Sequence, residues 1–280
     1  MAVVAKIRSL FPSLPNAERK VAEHILKSPQ EVLFLSVYDM AEAVDVSVAS
    51  VSRFVRTIGF RNFKEFKVEL AQDATSVAPE IYGAISPEDS EREIVAKVFR
   101  GNIHSLEDTL HILDMDDFIA VARKLSIAKR IVFFGIGGSA NVARDAALRF
   151  SLIDVQSEIY TDPLYILISA KRLHRGDAAV GISHSGRSKI TVNALQIARE
   201  NGALTVGISN YMKSPLSSYS DHFLCTSFYE SKVKVAALSS RLAQLCVIDA
   251  LYLLLAYYRK EIWDIEKLNR MTEKLLRIEG

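Results

Sequence analysis

Short apolar runs alternate with amphipathic stretches through the C-terminal two thirds of the chain. The runs are Arg130–Phe134, Val155–Tyr160, Ala178–Ser183, Ala203–Ser209 and His222–Ser227, with helical periodicity near 139–152, 163–173 and 188–201 between them. Strand–helix alternation at this spacing predicts a parallel, doubly wound sheet. Two helical segments from Glu91 precede it; a long helix from about Ala236 to Tyr258 and a last one from Asp264 follow. The chain from Asn16 to about Asp73 differs, with short helix signals broken by Pro29, by Asp45-Val46-Ser47 and by Gly59. Thr75–Ser90, with Pro79, Gly83 and Pro87, reads as a linker. The expected organisation is a helical domain over 1–76, a linker over 77–90 and an α/β domain over 91–280.

Within the helical block, Ser36-Val-Tyr-Asp39 fits a capping box that opens a helix through Val44. A turn follows at Asp45-Val46, where aspartate tolerates left-handed backbone. Ser47 is a good N-cap for the next helix. There Val51, Phe54, Val55 and Ile58 fall at i, i+3, i+4 and i+7, one stripe to bury. The other face would display Ala49, Ser50, Ser52, Arg53, Arg56 and Thr57. Small, hydroxylated and basic residues suit a helix whose front end enters the major groove, with Ser47 at its start. Arg53 and Arg56 could reach guanine edges or phosphates, whereas Lys64 and Lys67 on the following helix would favour phosphate. The bland alternative is a helical bundle with a solvated polar face.

The formal charge of +2 on 280 residues does not by itself imply a polyanion partner. Its distribution matters more: between 53 and 67, Arg53, Arg56, Arg61, Lys64 and Lys67 face only Glu65. Cys225 and Cys246 lack metal-ligand spacing, so two buried thiols in a reducing compartment are expected rather than a disulfide or zinc site. No secretory signal pattern is visible, and the apolar run Leu245–Tyr258 is too short to span a bilayer. These features together suggest a cytoplasmic location.

Two glycine/serine turns carry the candidate chemistry. Gly135-Ile-Gly-Gly-Ser139-Ala140 follows an apolar run and opens a helix, and it formally satisfies the dinucleotide fingerprint. Glu158 or Asp162 stands at the right distance for a ribose contact, so an NAD-responsive protein is a serious alternative. The second turn, Ser183-His184-Ser185-Gly186-Arg187-Ser188, is not required by a dinucleotide site. Two such turns on two strands would converge beyond the strand ends, and their hydroxyls, backbone N–H groups and helix N-termini could hold one phosphate. The competing view is that these serines are ordinary turn and cap residues. His104, His111 and His174 show no partner pattern; His184 alone lies in a candidate site.

Glu18-Arg-Lys-Val-Ala22, Leu35-Ser-Val-Tyr-Asp-Met-Ala41, Val46-Ser47, Val51-Ser-Arg-Phe54 and Gly59-Phe-Arg-Asn-Phe-Lys-Glu-Phe-Lys67 resemble the helix-turn-helix domain of RpiR-type transcriptional regulators. Asn16-Ala17 and Asp45 depart from its usual serine and glycine. The two glycine/serine turns resemble those of the sugar isomerase (SIS) domain, which binds phosphosugars. The fold class implied is an all-α helix-turn-helix domain followed by an α/β SIS domain with a five-stranded parallel sheet flanked by helices. By the same resemblance Ser139, Ser183, Ser185 and Ser188 would contact phosphate, and His184 and Arg187 would line the site. Ser240-Arg-Leu-Ala-Gln-Leu245 resembles the helix opening that closes it, which adds Ser240. The Ser-His-Ser-Gly-Arg-Ser-Lys stretch and that helix are also similar to the HexR-like branch, whose effector is 2-keto-3-deoxy-6-phosphogluconate.

SIS isomerases place a general base, usually glutamate, at the start of the late helix. Here no carboxylate occurs from Val235 to Leu242, and Glu230 stands well upstream. A base must reach the proton it moves, so the resemblance implies a regulator rather than an enzyme, without cofactor or metal. Its partners would be operator DNA, a phosphorylated sugar or sugar acid, and further copies of itself as a homodimer or homotetramer. A phosphosugar isomerase with an added helical domain is the enzymatic alternative.

Overall fold

The computed structural model describes residues 3–76, 85–86, 88–228 and 238–259, with side chains of 73–76 and 238–239 left aside. The helical domain comprises α1 (Val3–Leu10), a 3-10 turn (Phe11–Ser13), α2 (Asn16–Lys27), α3 (Pro29–Val32), α4 (Val37–Ala43), α5 (Val48–Thr57) and α6 (Phe63–Ser76). Ser36 and Asp39 form the expected reciprocal cap on α4, at 2.9 and 3.2 Å. Ser47 caps α5 by accepting from the Ser50 N–H at 3.2 Å. The stripe Val51, Phe54, Val55 and Ile58 is fully buried, and Phe54 meets Phe66 of α6 edge-on at 6.5 Å. The turn between α4 and α5 passes through Asp45 at φ +51°. Glycine occupies that region without Cβ strain. Asp45→Gly is therefore expected to raise the unfolding free energy by about 0.5–1 kcal/mol, read as a higher denaturation midpoint. The Lys20–Asp45 ion pair that it removes is 3.8 Å long and exposed, and such pairs add little.

Helix α1 is an element that the periodicity reading did not assign. It sends Val3, Ile7 and Leu10 into the same core as α5. It also touches the α/β domain, where the backbone N–H of Met212 donates to the Ser9 carbonyl at 3.2 Å.

The α/β domain begins with α7 (Glu91–Ile112) and α8 (Met115–Ser126). Then follow β1 (Ile131–Phe134), α9 (Gly138–Ser151), β2 (Ser157–Tyr160), α10 (Pro163–Lys171), β3 (Ala178–Ile182), α11 (Lys189–Glu200), β4 (Leu204–Ser209), α12 (Pro215–Ser218), β5 (His222–Cys225) and α13 (Leu238–Tyr258). The five strands are all parallel in the order β2-β1-β3-β4-β5. Alternate residues face opposite layers: Ile131, Phe133, Val180 and Ile182 pack with α8, α9 and α13, while Val132, Phe134 and Ala179 pack with α10 and α11. Each strand is one or two residues shorter than its apolar run, at the start for β1, β2 and β4 and at the end for β3 and β5. Ser183 still donates its N–H to Ile208, and Thr226 to Ser209, as the chain turns out of the sheet.

Two expectations change. The apolar stretch of helix α13 is longer than the run Leu245–Tyr258 that was expected to be too short to span a bilayer, and by length and composition it could cross a membrane. Its inward face, Ala243, Val247, Ile248, Leu251 and Leu255, is instead buried in the core of the sheet, so it is the central core helix. Cys246, expected to be buried, is exposed, while Cys225 is buried; neither is in a disulfide. The cause is register: Cys246 precedes the buried pair Val247-Ile248 and lies off their face. Ala236, Ala237, Glu230, the helix expected from Asp264, and most of the expected linker (77–84 and Pro87) lie outside the described residues.

Candidate functional site

The strand order places β1 and β3 side by side, with the chain leaving β1 for β2 on one side and returning to β3 on the other. That is the topological switch point, the crevice in which open α/β sheets bind ligands. Both glycine/serine turns lie there, one after β1 and one after β3. The first turn packs tightly at its base: a Cβ on Gly135 would stand 2.8 Å from the Ser139 carbonyl oxygen. Above Gly137 and Gly138 no atom of the described residues stands within 4 Å of an added Cβ. Ser139 stands half-exposed in the first turn of α9.

In the second turn Gly186 takes φ +62°, and a Cβ there would collide with the Ser214 side chain. Only glycine lets this backbone lie against α12. Gly186 closes the turn by donating to the Ser183 carbonyl at 3.1 Å. Ser185 is half-exposed and its hydroxyl accepts from the Arg187 N–H at 3.2 Å. Arg187 is exposed, and Ser188 is the half-exposed N-cap residue of α11, accepting from the Thr191 hydroxyl at 3.1 Å. The N-termini of α9 and α11 thus flank one crevice with serine hydroxyls between them. That arrangement can neutralise a phosphate without a buried cation.

Ser183 and Ser240 take different positions from their neighbours. Ser183 is buried at the strand end. Ser240, expected in the helix opening that closes the site, is 1% exposed and is held in a chain of hydrogen bonds. Its hydroxyl lies 2.8 Å from His184 Nδ1 and 2.8 Å from Asn210 Oδ1. The His184 ring stands edge-on to Phe228 at 4.9 Å and to Tyr211 at 6.2 Å. Asn210, Tyr211 and Phe228 were not legible as site residues, although their place just after β4 and β5 was a usable signal. The acidic residues that a dinucleotide would need are engaged elsewhere. Glu158 accepts from the Tyr160 hydroxyl at 2.8 Å, and Asp162 caps α10 at 2.9 and 3.2 Å.

On the helical domain, α5 presents Ala49, Arg53 and Arg56 exposed with Ser52 half-buried beside them, and Ser47 exposed at its start. Lys64 is exposed on α6. Three expected members of this face do other work. Ser50 is buried, paired with the Ser47 hydroxyl and accepting from the Arg53 guanidinium, both at 2.9 Å. Thr57 donates to the buried Glu18 at 2.9 Å. Lys67 donates its ammonium to the carbonyls of Leu33 and Leu35, at 3.1 and 2.9 Å. Carbonyls left unpaired after a short helix recruit such a cation, so Lys67 holds α6 against the end of α3 rather than standing ready for phosphate.

At the junction of the domains, burial pushes the Asp108 carboxyl up from its ordinary range, against the opposing pull of His104 and Arg8. Burial likewise pushes the Cys225 thiol up to about 12. Reactivity follows the thiolate and its access. One thiol, Cys246, is therefore expected to react promptly with Ellman's reagent at pH 8, and the second only on unfolding. Two promptly reacting thiols would contradict the burial of Cys225.

The sequence pattern of the rpiR-family helix-turn-helix domain matches residues 1–76, and that of the SIS domain matches 124–254. An HTH-type transcriptional regulator of Caldanaerobacter subterraneus subsp. tengcongensis is 37% identical over 98% of this chain and 96% of its own. HexR of Escherichia coli, also an HTH-type transcriptional regulator, is 35% identical over 90% of this chain and 86% of its own. The fold is shared with the Vibrio vulnificus NanR protein solved in complex with ManNAc-6P, at TM-score 0.60 and 24% identity, over 98% of this chain and 97% of that one.

Proposed function

The chain belongs to the rpiR family of helix-turn-helix transcriptional regulators, and from that premise we propose that it regulates carbohydrate metabolism by sensing a phosphorylated sugar or sugar acid between the β1 and β3 turns. The observation that carries this reading is the placement of both serine turns, with the N-termini of α9 and α11, on the switch point of the sheet. Ser139, Ser183, Ser185 and Ser188 hold the phosphate, Arg187 and His184 line the site, and Ser240 supports His184 from below. The protein works on DNA in the cytoplasm, with α5 in the major groove and Arg53 and Arg56 at the bases or phosphates. An effector that binds one arrangement of the domains better shifts the balance between DNA-competent and incompetent forms.

The site senses rather than catalyses, because the opening of α13 from Leu238 to Gln244 carries no carboxylate to move a proton between sugar carbons. Pairing of subunits gives the reader two half-sites. Helix α7 offers a surface for it, with Val95, Phe99, Ile103 and Leu110 exposed at helical spacing. Sedimentation of the full chain tests this, and a monomer would remove the paired half-sites.

A thermal-shift panel tests the sensor. It contains glucose 6-phosphate, N-acetylmannosamine 6-phosphate, 6-phosphogluconate, 2-keto-3-deoxy-6-phosphogluconate, their unphosphorylated counterparts and NAD. A ligand at about 100 times its Kd adds roughly 2.7 kcal/mol. A shift with one phosphorylated compound and none with its unphosphorylated counterpart is the expected outcome. A shift with NAD alone would replace this reading, and turnover of a sugar phosphate would make the protein an isomerase.

A further inference from the structure

We infer that the segment Asn210–Met212, directly after β4, carries occupancy of the serine-turn pocket to the DNA-reading domain, with α1 as the receiving element. The inference rests on the reading that the turn around Ser183 and Ser185 takes the effector. That turn is tied to the segment in two ways. Through the backbone, the His184 carbonyl accepts from the Asn210 N–H at 3.2 Å and from the Ser209 hydroxyl at 3.1 Å. Through side chains, His184 meets Ser240, which meets Asn210, and the imidazole packs against Tyr211. A movement of the 183–186 turn onto a phosphate therefore displaces the acceptor to which Asn210 is bonded.

Two residues further on, the segment enters the other domain. The Met212 N–H takes the Ser9 carbonyl, one of the carbonyls that the end of α1 leaves unpaired. The Met212 side chain packs on the buried core of the helical domain, to which α1 contributes Val3, Ile7 and Leu10 and α5 contributes Val51, Phe54 and Val55. Beside this contact the Ser9 side chain lies against the Cys225 thiol at the end of β5. Pocket, segment, α1 and recognition helix thus form one continuous set of contacts.

Asn210 also gives the segment a reason to have two arrangements. It is 1% exposed, and its Nδ2 has no hydrogen-bond partner among the described residues. A buried donor without an acceptor is costly, so an arrangement that supplies one competes with the present contacts.

Cys225 reports the docking of α1, because Cys246→Ser leaves it as the single thiol of the full chain. The probes are N-acetylmannosamine 6-phosphate, 6-phosphogluconate and inorganic phosphate, with binding followed by calorimetry and Cys225 modification by Ellman's reagent. In C246S protein a probe that binds is expected to change the modification rate by about fivefold or more, the lower end of ordinary allosteric coupling. M212A/C246S should bind that probe with the parent's affinity while its Cys225 rate no longer responds. Met212→Leu, which keeps an apolar chain in place, should restore the response and guards against a folding defect. A bound probe that leaves the Cys225 rate unchanged overturns the inference, as does a full response in M212A. Should calorimetry find no binding, the sensor reading fails on its own terms. The ligand-free comparison then decides the coupling: the Cys225 rate of N210A/C246S is expected to differ from its parent's by at least about fivefold, and equal rates overturn it.

Discussion

Replacing Ser183 and Ser185 together by alanine is expected to weaken phosphosugar binding by about a hundredfold or more while leaving operator binding intact. Each hydroxyl donating to a phosphate oxygen is a hydrogen bond to a charged group, worth about 1.5–3 kcal/mol. Loss of two such bonds exceeds a hundredfold at about 1.4 kcal/mol per tenfold. The protein itself should tolerate the change. Ser183 holds its place in the ladder through its N–H, and among the described residues the Ser185 hydroxyl only accepts from Arg187 within the turn. At a ligand concentration of about 100 times the parent's Kd, stabilisation would fall from roughly 2.7 to about 0.4 kcal/mol, so the thermal shift nearly vanishes. A double variant that keeps the parent's shift would place the phosphate elsewhere.

Arg53→Ala is expected to weaken operator affinity by about 5- to 150-fold, the range for one arginine reading a base at about 1–3 kcal/mol. Arg53 is exposed on α5, and its guanidinium is held by the Ser50 hydroxyl at 2.9 Å. Removing it costs no core packing, so the melting midpoint and the phosphosugar response should stay near the parent's. The salt dependence of binding distinguishes its two possible contacts. A base reader leaves the slope of affinity against salt unchanged, while a phosphate contact lowers it by about one. DNA affinity equal to the parent's, measured on an operator obtained by selection from random duplexes, would remove Arg53 from the interface. Lys67→Ala should behave differently, lowering stability through the carbonyls of Leu33 and Leu35 that it leaves unpaired.

Much of this architecture is encoded locally in the sequence. The capping box at Ser36, the cap at Ser47, the stripe from Val51 to Ile58 and all five strands depend on local chemistry and on a 3.6 or 2.0 periodicity. Those signals lie in neighbouring residues and survive without tertiary context. The two serine turns were legible for the same reason, since a glycine-rich turn between an apolar run and a helix has a local signature.

What failed to read was set by distant partners. Thr57 and Lys67 share the composition of a solvated polar face, and only the approach of Glu18 and of the end of α3 turns them inward. Ser240 resembled an open pocket residue, yet its hydroxyl is committed to His184, 56 positions away, and to Asn210. Helix α1 is only eight residues long, too short for periodicity to mark it. It is stabilised by burial against α6 and by the Met212 contact, which no local pattern encodes. Sequence by itself thus determined the elements that local periodicity marks, their order and the chemistry of both candidate faces. Tertiary structure alone decided which polar groups remain available and that the two faces are joined through residues 210–212, because both depend on contacts between segments distant in the chain.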